Sequence, residues 1–244
     1  MSGALLELND VSAGYGPFRA IFGVSFAIPE RGAVALLGAN GAGKSTIARV
    51  VTGLVPIESG TLRFDGRSIA GLKPWKITRL GIVHAPEGRS VFSSLTVQEN
   101  LTLDFTRSLG RKRVGEGLDR AYDLFPRLGQ RRSQDAGTLS GGEQRMLSLA
   151  RVLVNPPRLL VVDELSLGLA PIIIDELYAT LRRVNEAGST LLIVEQYVSR
   201  ALSLAQSVVV LQHGEVVYDG SVAELGDASE HLLATHSHFE ARAR

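Results

Sequence analysis

A glycine-rich segment of nine residues, 38–46 (GANGAGKST), constrains the fold of this chain more than any other feature of its sequence. It follows a wholly apolar run at 33–37, which is typical of a strand buried on both faces, and it opens a helical pattern at 44–54. Glycines allow consecutive backbone N–H groups to curl around an anion, and a helix directs its positive N-terminal end at the same anion. The order of strand, loop and helix therefore predicts a phosphate-binding loop in an α/β protein.

The residue types within this loop predict how a nucleotide is held. Lys44 is expected to reach the terminal phosphates, and the hydroxyl of Ser45 is expected to ligate Mg²⁺. A glycine turn that only caps a helix is the alternative, but the chain contains four lysines, so a chance match to the full pattern is rare. The residues predicted to contact the nucleotide here are Gly38, Asn40, Gly41, Gly43, Lys44, Ser45 and Thr46.

A glycine pair lies further along the chain, in 139–144 (LSGGEQ). Ser140 and Glu143 have the spacing of a capping box, which predicts that a helix begins there. Glycine is a poor helix former, so Gly141 and Gly142 in the first turn indicate that something approaches this backbone closely. An exposed helix N-terminus is a second anion site. The two sites could hold one nucleotide between them, or each could bind a different nucleotide across a dimer.

Two carboxylates follow a second apolar run in 159–164 (LLVVDE). Asp163, at the end of the predicted strand, is placed to hold Mg²⁺ directly or through water. Glu164 can then accept a proton from the attacking water or orient it. An ordinary strand followed by an acidic turn is the alternative, and the phosphate-binding loop upstream disfavours it.

Composition excludes several classes of protein. The chain has 244 residues, of which 45% are hydrophobic, and its net charge is +1, which argues against a nucleic-acid binder. The absence of cysteine excludes disulfide frameworks and Cys-ligated metal centres. The apolar runs are far shorter than a membrane span, and we see no signal-peptide pattern at the N-terminus. These features predict a soluble, intracellular globular protein.

Strand and helix patterns alternate on both sides of a helical middle segment. The patterns predict strands at 5–8, 21–28, 61–64, 82–84, 159–162, 190–194, 208–211 and 216–218, and helices at 74–79, 172–187 and 198–204. Two-residue turns are predicted at Asp65-Gly66 and His213-Gly214. Between them, residues 87–153 carry little strand signal. A capping box at Thr96 and Glu99 predicts that a helix begins there.

Together these motifs resemble the nucleotide-binding subunits of ABC transporters, and the resemblance covers nearly the whole chain. Residues 38–46 are similar to the Walker A loop, 139–144 to the family signature, 159–164 to Walker B and 166–170 to the D-loop. The resemblance implies that Tyr15 stacks on adenine. It also implies a P-loop NTPase (RecA-like) α/β core with an N-terminal antiparallel β subdomain and an inserted α-helical subdomain. The whole chain, 1–244, would be one ATPase domain, with 1–86 and 154–244 forming the core and 87–153 the insert that carries the signature.

A finer resemblance is to the F-type ATP-binding subunit of branched-chain amino-acid transporters and its relatives for urea or amides. It rests on 85–92 (APEGRSVF), 95–101 (LTVQENL), 166–171 and 194–196. As in that branch, Glu87 replaces the Q-loop glutamine, and its carboxylate is expected to face Mg²⁺. Gln196 replaces the switch histidine and is expected to position the γ-phosphate through its amide. Leu165 stands where the family has proline, so the rigidity of the D-loop does not follow from the resemblance.

The resemblance implies a transport ATPase that binds ATP and Mg²⁺ and acts at the cytoplasmic face of the membrane. Its expected partners are membrane permease subunits, contacted through 89–95, and a second ATP-binding subunit, either another copy or a G-type paralogue. A solute-binding protein would take part indirectly, and no nucleic acid is expected. A non-transport ABC-type ATPase, in repair or cofactor assembly, is the first alternative. A small-molecule P-loop kinase is the second, but it leaves 139–144 unexplained.

Overall fold

The computed structural model describes residues 3–85, 91–196 and 198–225. Its strands are β1 (Ala4–Tyr15), β2 (Phe18–Pro29), β3 (Ala33–Gly38), β4 (Ile57–Phe64), β5 (Arg67–Ser68), β6 (Ile82–Ala85), β7 (Leu159–Asp163), β8 (Thr190–Val194), β9 (Ser207–Gln212) and β10 (Glu215–Ser221). One sheet is antiparallel and has the order β2-β1-β4-β5. The other has the order β10-β9-β3-β8-β7-β6, and its strands β9, β3, β8 and β7 run parallel.

The helices are α1 (Lys44–Val51), α2 (Pro74–Arg79), α3 (Val97–Ser108), α4 (Val114–Leu124), α5 (Pro126–Gln130), α6 (Gly141–Leu153), α7 (Pro171–Glu186), α8 (Val198–Leu202) and α9 (Val222–Leu225). The described residues divide into two compact units. The sheet unit contains both sheets with α1, α2, α8 and α9. The helical unit contains α3 to α7, so its residues come from 85–157 and from 165–187.

The sheet unit has one hydrophobic core, to which both sheets and α1 contribute. Every residue of β3, β7 and β8 is buried, as expected for parallel strands that are covered on both faces. Leu6 and Phe64 of the antiparallel sheet belong to the same buried cluster as Leu36 of β3 and Ile47 of α1. Because β3 and α1 are both packed into this core, both ends of the loop that connects them are fixed.

Two helices of the helical unit, α3 and α6, begin with the same capping arrangement. Thr96 caps α3 and Ser140 caps α6, each in a capping box with the glutamate three residues later, which confirms both predictions. Asn100, fully buried on α3, accepts a hydrogen bond from the N–H of Phe92 at 2.8 Å and donates to three backbone carbonyls of 92–96. The segment that leads into α3 is therefore held by one side chain.

The predicted elements are found, but several bounds differ: β2 begins at 18 rather than 21, β4 at 57 rather than 61, and β10 ends at 221 rather than 218. For β1 and α1 the structure shows the reason. The pattern predicted a strand only at 5–8, joined to the next strand by a glycine-rich turn at 14–17. In the structure β1 continues to Tyr15, since Asp10 takes a φ of 52° at an irregularity and its N–H donates to Ser25 Oγ at 2.8 Å. Helix α1 ends at Val51 rather than 54, because Gly53 takes a left-handed conformation just beyond it.

Both predicted two-residue turns are confirmed. Asp65-Gly66 joins β4 to β5, and His213-Gly214 joins β9 to β10. All four residues have a positive φ, between 50° and 84°, as a type I′ hairpin turn requires. The sequence patterns therefore located these reversals without help from tertiary contacts.

Candidate functional site

The segment 38–46 connects β3 to α1 as predicted, and its shape depends on glycine. Gly43 has a φ of 104°, and a Cβ added there would lie 2.7 Å from Cγ2 of Ile21. A Cβ on Gly38 would lie 2.5 Å from the carbonyl oxygen of Leu211. Gly41 has a φ of 80° but faces open space. The loop backbone is thus fixed by close contacts at two of its glycines, and Asn40 and Gly41 remain exposed.

Lys44 folds back over the loop to which it belongs. Its Nζ donates to the carbonyl oxygens of Gly38 at 2.8 Å and Ala39 at 3.1 Å, and the residue is only 4% exposed. Burial lowers the pKa of Lys44, and the negative charges of Glu164, Asp163 and the nearby Glu195 oppose that shift in the order given. A cation is therefore held in a poorly solvated place where a phosphate would be a strong partner.

The carboxylates of 163–164 lie at the end of β7, next to β8 in the parallel sheet. Asp163 is the last residue of the strand and is buried. The N–H of Glu164 donates to the carbonyl of Val194 at 2.9 Å, which anchors this residue to the end of β8. Glu164 also has a φ of 45°. A positive φ is unfavourable for a residue with a Cβ, and such strain tends to persist where a side chain must be aimed.

Ser45 and Asp163 lie close enough to share a metal ion. Ser45 Oγ is 3.4 Å from Asp163 Oδ1. Adjacent ligands of an octahedral Mg²⁺ at 2.0–2.1 Å lie roughly 2.9 Å apart, and this metal is commonly held by one or two protein oxygens plus phosphates and water. The donor set of hydroxyl and carboxylate oxygens fits Mg²⁺. Within the described residues no group of three or more His, Asp or Glu side chains could hold a metal by itself, so nucleotide and water would have to supply the remaining ligands.

Glu195 is a site residue that the sequence reasoning missed. It follows β8 as Asp163 ends β7, it is 1% exposed, and its N–H donates to the carbonyl of Leu36 at 3.2 Å. Its carboxylate accepts a hydrogen bond from the backbone N–H of Gln196 at 3.3 Å. The signal was available, because Glu195 directly follows the apolar run 191–194, as Asp163 follows 159–162. Gln196 itself is half-buried in the same unit.

Tyr15, the predicted adenine-stacking residue, ends β1. Tyr15 is 43% exposed, so its ring is accessible to a ligand. The guanidinium of Arg49, near the end of α1, donates to the tyrosine hydroxyl at 3.1 Å. The phosphate-binding loop, Asp163, Glu164 and Tyr15 all belong to the sheet unit.

The signature residues belong to the helical unit, where Ser140 is the exposed N-cap of α6. Oε2 of Glu143 accepts hydrogen bonds from the backbone N–H of Ser140 at 2.9 Å and from its hydroxyl at 2.8 Å. Burial alone would raise the pKa of Glu143, but the bonds from Ser140 and an ion pair with Arg131 at 2.6 Å hold it below its usual value. The carboxylate therefore stays charged and keeps the cap closed.

Packing within the helical unit explains one glycine of the pair 141–142, which the sequence did not reveal. Gly142 is buried, and a Cβ there would lie 2.6 Å from Cγ2 of Ile173 on α7. A glycine at this position lets α6 and α7 approach closely. Gly141 is half-buried and directly follows the exposed N-cap Ser140. Of the two, Gly141 retains the interpretation of a backbone bared for a ligand.

Glu87 lies outside the described residues, as do its neighbours 86 and 88–90, so its role toward Mg²⁺ stays a prediction. The strand that leads to it is described. His84 lies near the end of β6, and its Nε2 is 3.9 Å from Asp163 Oδ2. His84, three residues before Glu87 in the sequence, therefore lies beside Asp163, the predicted metal ligand.

Comparison with known proteins assigns this arrangement to a family. Residues 21–166 match the family model described as ABC transporter. The chain belongs to the ABC transporter family. This ABC protein is 42% identical, over 91% of its length and 94% of the relative, to a high-affinity branched-chain amino acid transport ATP-binding protein, BraG, of Pseudomonas aeruginosa. It is 34% identical, over 91% and 94%, to a probable branched-chain amino acid transport ATP-binding protein, LivF, of Archaeoglobus fulgidus.

Solved structures agree with the fold of this ABC protein. An ATP-binding subunit of an ABC transporter superposes with a TM-score of 0.82 at 26% identity, covering 96% of this chain and 99% of the other. The ADP conformation of an ATP-binding cassette from an ABC transporter gives a TM-score of 0.81 at 23% identity, covering 95% and 99%. The predicted fold class is thereby confirmed. None of the helices in the described part of the chain is long and apolar enough to cross a membrane.

Gly43 and Gly41 of this ABC protein provide a test of the loop geometry. We expect Gly43→Ala to lower the free energy of unfolding by about 2–4 kcal/mol, because it combines a positive φ with a steric overlap. Gly41→Ala carries the positive φ alone and should cost about 1 kcal/mol. Urea unfolding of both variants measures the difference. Equal losses would show that the contact between Gly43 and Ile21 does not shape the loop.

Proposed function

We propose that this chain is the ATP-binding and ATP-hydrolysing subunit of an ABC importer for branched-chain amino acids or a related small polar solute. The observation that carries the proposal is that the loop 38–46 with Lys44 lies near Asp163 and Glu164, at the carboxyl ends of β3 and β7, the two parallel strands that flank β8. Ligands of open α/β sheets bind at this edge. The names of the relatives, which are transport ATP-binding proteins for branched-chain amino acids, support the solute class.

The residues of the sheet unit divide the work of binding. The backbone N–H groups of 41–46 hold the β- and γ-phosphates, and Lys44 places its buried charge against them. Tyr15 stacks on adenine. Ser45 and Asp163 would hold Mg²⁺, with Glu87 near its water shell, and the ion when bound neutralises the charge on the phosphates.

Glu164 acts as the general base. A water oxygen attacks the γ-phosphorus, the bond to the β–γ bridging oxygen breaks, and the water proton passes to the Glu164 carboxylate. The strained backbone of Glu164, anchored to Val194, aims the carboxylate at this water. Gln196 donates its amide N–H to a γ-phosphate oxygen and positions it without exchanging a proton.

Ser140, Gly141 and Gly142 are proposed to close a second copy of the site across a dimer. The N-terminus of α6 offers free N–H groups and a partial positive charge to the γ-phosphate of the partner. The partner is a second copy of this chain or a related cassette. Permease subunits, contacted through 89–95, and indirectly a solute-binding protein would complete the importer, with this subunit at the cytoplasmic face of the membrane.

Ser140→Ala tests the role of the signature serine against a matched cap. Both Ser140→Ala and Thr96→Ala remove a capping-box hydroxyl, so each should lower the free energy of unfolding by about 1 kcal/mol. Only Ser140→Ala should also reduce ATP hydrolysis, by at least tenfold, because only that hydroxyl is proposed to contact phosphate. Steady-state ATPase rates and urea unfolding of both variants measure this. Parallel losses of rate in the two variants would show a purely structural cap.

Gln196→His tests whether the side chain at this position can carry a proton. Glutamine does not titrate, whereas histidine has a pKa near 6.5, so the variant should acquire a change of rate around neutral pH that the parent lacks. The measurement is the dependence of kcat on pH between 5.5 and 8.5 for both proteins. Coinciding profiles would contradict a distinct positioning role for Gln196.

Reconstitution tests the proposed function as a whole. The chain would be assembled in proteoliposomes with permease subunits and a binding protein for branched-chain amino acids, and ATP hydrolysis measured with and without leucine. We expect leucine uptake that requires ATP, and a hydrolysis rate stimulated by leucine. Robust ATPase activity of the chain that never couples to any permease would instead favour the non-transport ATPase.

A further inference from the structure

The helix that follows the phosphate-binding loop also reaches the predicted adenine-stacking ring. Lys44 begins α1, and Arg49 lies in its last turn. Arg49 Nη1 donates to the hydroxyl of Tyr15 at 3.1 Å, and the guanidinium carbon is 5.9 Å from the centre of the same ring. Five residues of α-helix span about 7.5 Å along the axis. One short helix therefore reaches the phosphate-binding loop with its first residue and the ring of Tyr15 with its last turn.

We propose that Arg49 is a positioning residue for the base of the nucleotide: it fixes the ring of Tyr15 relative to the helix whose other end holds the phosphates. This rests on the proposed function, in which Tyr15 stacks on adenine. Arg49 does not itself contact the nucleotide in this scheme and takes no part in hydrolysis.

The need for such a residue follows from where Tyr15 is placed. The ring ends β1 next to the turn into β2 and is 43% exposed, so the packing around it leaves room for other rotamers. A stacking ring that must be ordered at the moment of binding costs affinity, whereas a ring already held in place does not. The hydroxyl bond and the guanidinium beside the ring restrict both its direction and its tilt.

The backbone around Arg49 is itself well fixed. The carbonyl oxygen of Arg49 accepts hydrogen bonds from the N–H groups of Leu54 at 2.8 Å and Val55 at 3.2 Å, and from Thr52 Oγ1 at 3.3 Å. The neighbouring residues Ala48 and Val50 are buried. The guanidinium is therefore presented from an anchored helix end rather than from a loose segment, and a shift of α1 would move both the phosphates and the base.

A nearby arginine offers a matched control. Arg19 on β2 lies 6.0 Å from the ring of Phe22 and pairs with Glu58 at 2.8 Å. It therefore resembles Arg49 in exposure and in lying beside an aromatic ring of the same sheet. The side chain of Arg19 contacts Phe22 and Glu58, so Arg19→Met removes a comparable charge without changing the bond between Arg49 and Tyr15.

The experiment is a double-mutant cycle on the intact chain with Arg49→Met, Tyr15→Phe and both together. Methionine keeps the apolar stem of the arginine, and phenylalanine keeps the ring, so each change removes one side of the same bond. We expect each single variant to raise KM for ATP three- to tenfold with kcat within twofold. The KM of the double variant for ATP should be no higher than that of the single variant with the higher KM. Affinity for inorganic tripolyphosphate, which lacks a base, should be unchanged in all three, and Arg19→Met should match the parent.

Three results would overturn the proposal. The first is an additive loss in the double variant, and the second is an equal loss of tripolyphosphate affinity, which would place Arg49 at the phosphates. The third is an unchanged KM in both single variants. Tyr15→Leu separates this failure from failure of the proposed function: if it leaves KM for ATP unchanged, the stacking role of Tyr15 is wrong. If Tyr15→Leu raises KM for ATP while Arg49→Met does not, only the proposed role of Arg49 is wrong.

Discussion

Glu164→Gln is expected to reduce ATP hydrolysis by roughly 10²- to 10⁴-fold while ATP still binds, since this is the usual contribution of a positioned general base. Glutamine has nearly the shape of glutamate and, like it, must adopt the φ of 45° found here. The variant therefore loses the proton acceptor without a change in backbone strain. We expect it to accumulate as an ATP-bound dimer, detected by size-exclusion chromatography with and without ATP.

Glu195→Gln is the control for the Glu164 experiment. Both carboxylates act on the charge of Lys44, and Glu195 is buried at the end of the next strand. If the effect of Glu164 were only to balance that charge, the two variants would lose activity to a similar extent. We expect Glu195→Gln to retain hydrolysis within about tenfold of the parent, because the variant keeps the proposed proton acceptor, whose loss costs roughly 10²- to 10⁴-fold. Near-normal turnover of Glu164→Gln would refute its role as base.

Local patterns predicted the parts of this molecule that local physics determines. The turn at His213-Gly214, the two capping boxes and the fully buried strand β8 each depend on a few consecutive residues, and each was found as predicted. The strand β1 was predicted too short, because its irregularity at Asp10 depends on Ser25 of the neighbouring strand. Sequence alone does not say which strands become neighbours.

The candidate site shows the same division. The loop 38–46 and the pair Asp163-Glu164 were recognisable because each motif is continuous in sequence. Arg49 was missed, since its relevance arises only when α1 reaches β1. Glu195 was missed although its position directly after the apolar run 191–194 offered a local signal. The packing role of Gly142 likewise depends on α7, which follows about thirty residues later.

Lys44→Met is expected to weaken nucleotide binding severely without destabilising the nucleotide-free protein. Removal of one member of a buried charge pair commonly costs about 2–5 kcal/mol, which corresponds to a loss in ATP affinity of roughly 30- to several thousand-fold. The Nζ of Lys44, already fixed on the carbonyls of Gly38 and Ala39, is the buried cation nearest to where the loop would place phosphate. Fluorescent ATP-analogue titration measures the affinity, and Lys76→Met, on the exposed α2, should bind like the parent.

The stability of the same variant follows from the sign of the pKa shift. Burial holds the folded-state pKa of Lys44 below its ordinary value, so the charged lysine opposes folding at neutral pH. The unfolded chain binds the proton more tightly, and stability therefore rises as pH increases from the folded-state pKa to about 10.5. Methionine carries no such cost. We expect the Tm of Lys44→Met without nucleotide to equal or exceed that of the parent at pH 7, and the difference to shrink as pH rises.

Adding ATP and Mg²⁺ should raise the Tm of the parent above that of Lys44→Met. A ligand at a hundred times its Kd stabilises the folded state by about 2.7 kcal/mol, and only the parent would gain it. The crossing of the two Tm values on addition of nucleotide is the decisive measurement, because a lysine that merely supported the loop would leave the variant less stable under both conditions. The buried charge of Lys44 is thus a cost to the empty protein that phosphate removes, which is the arrangement expected where a residue is selected for binding rather than for stability.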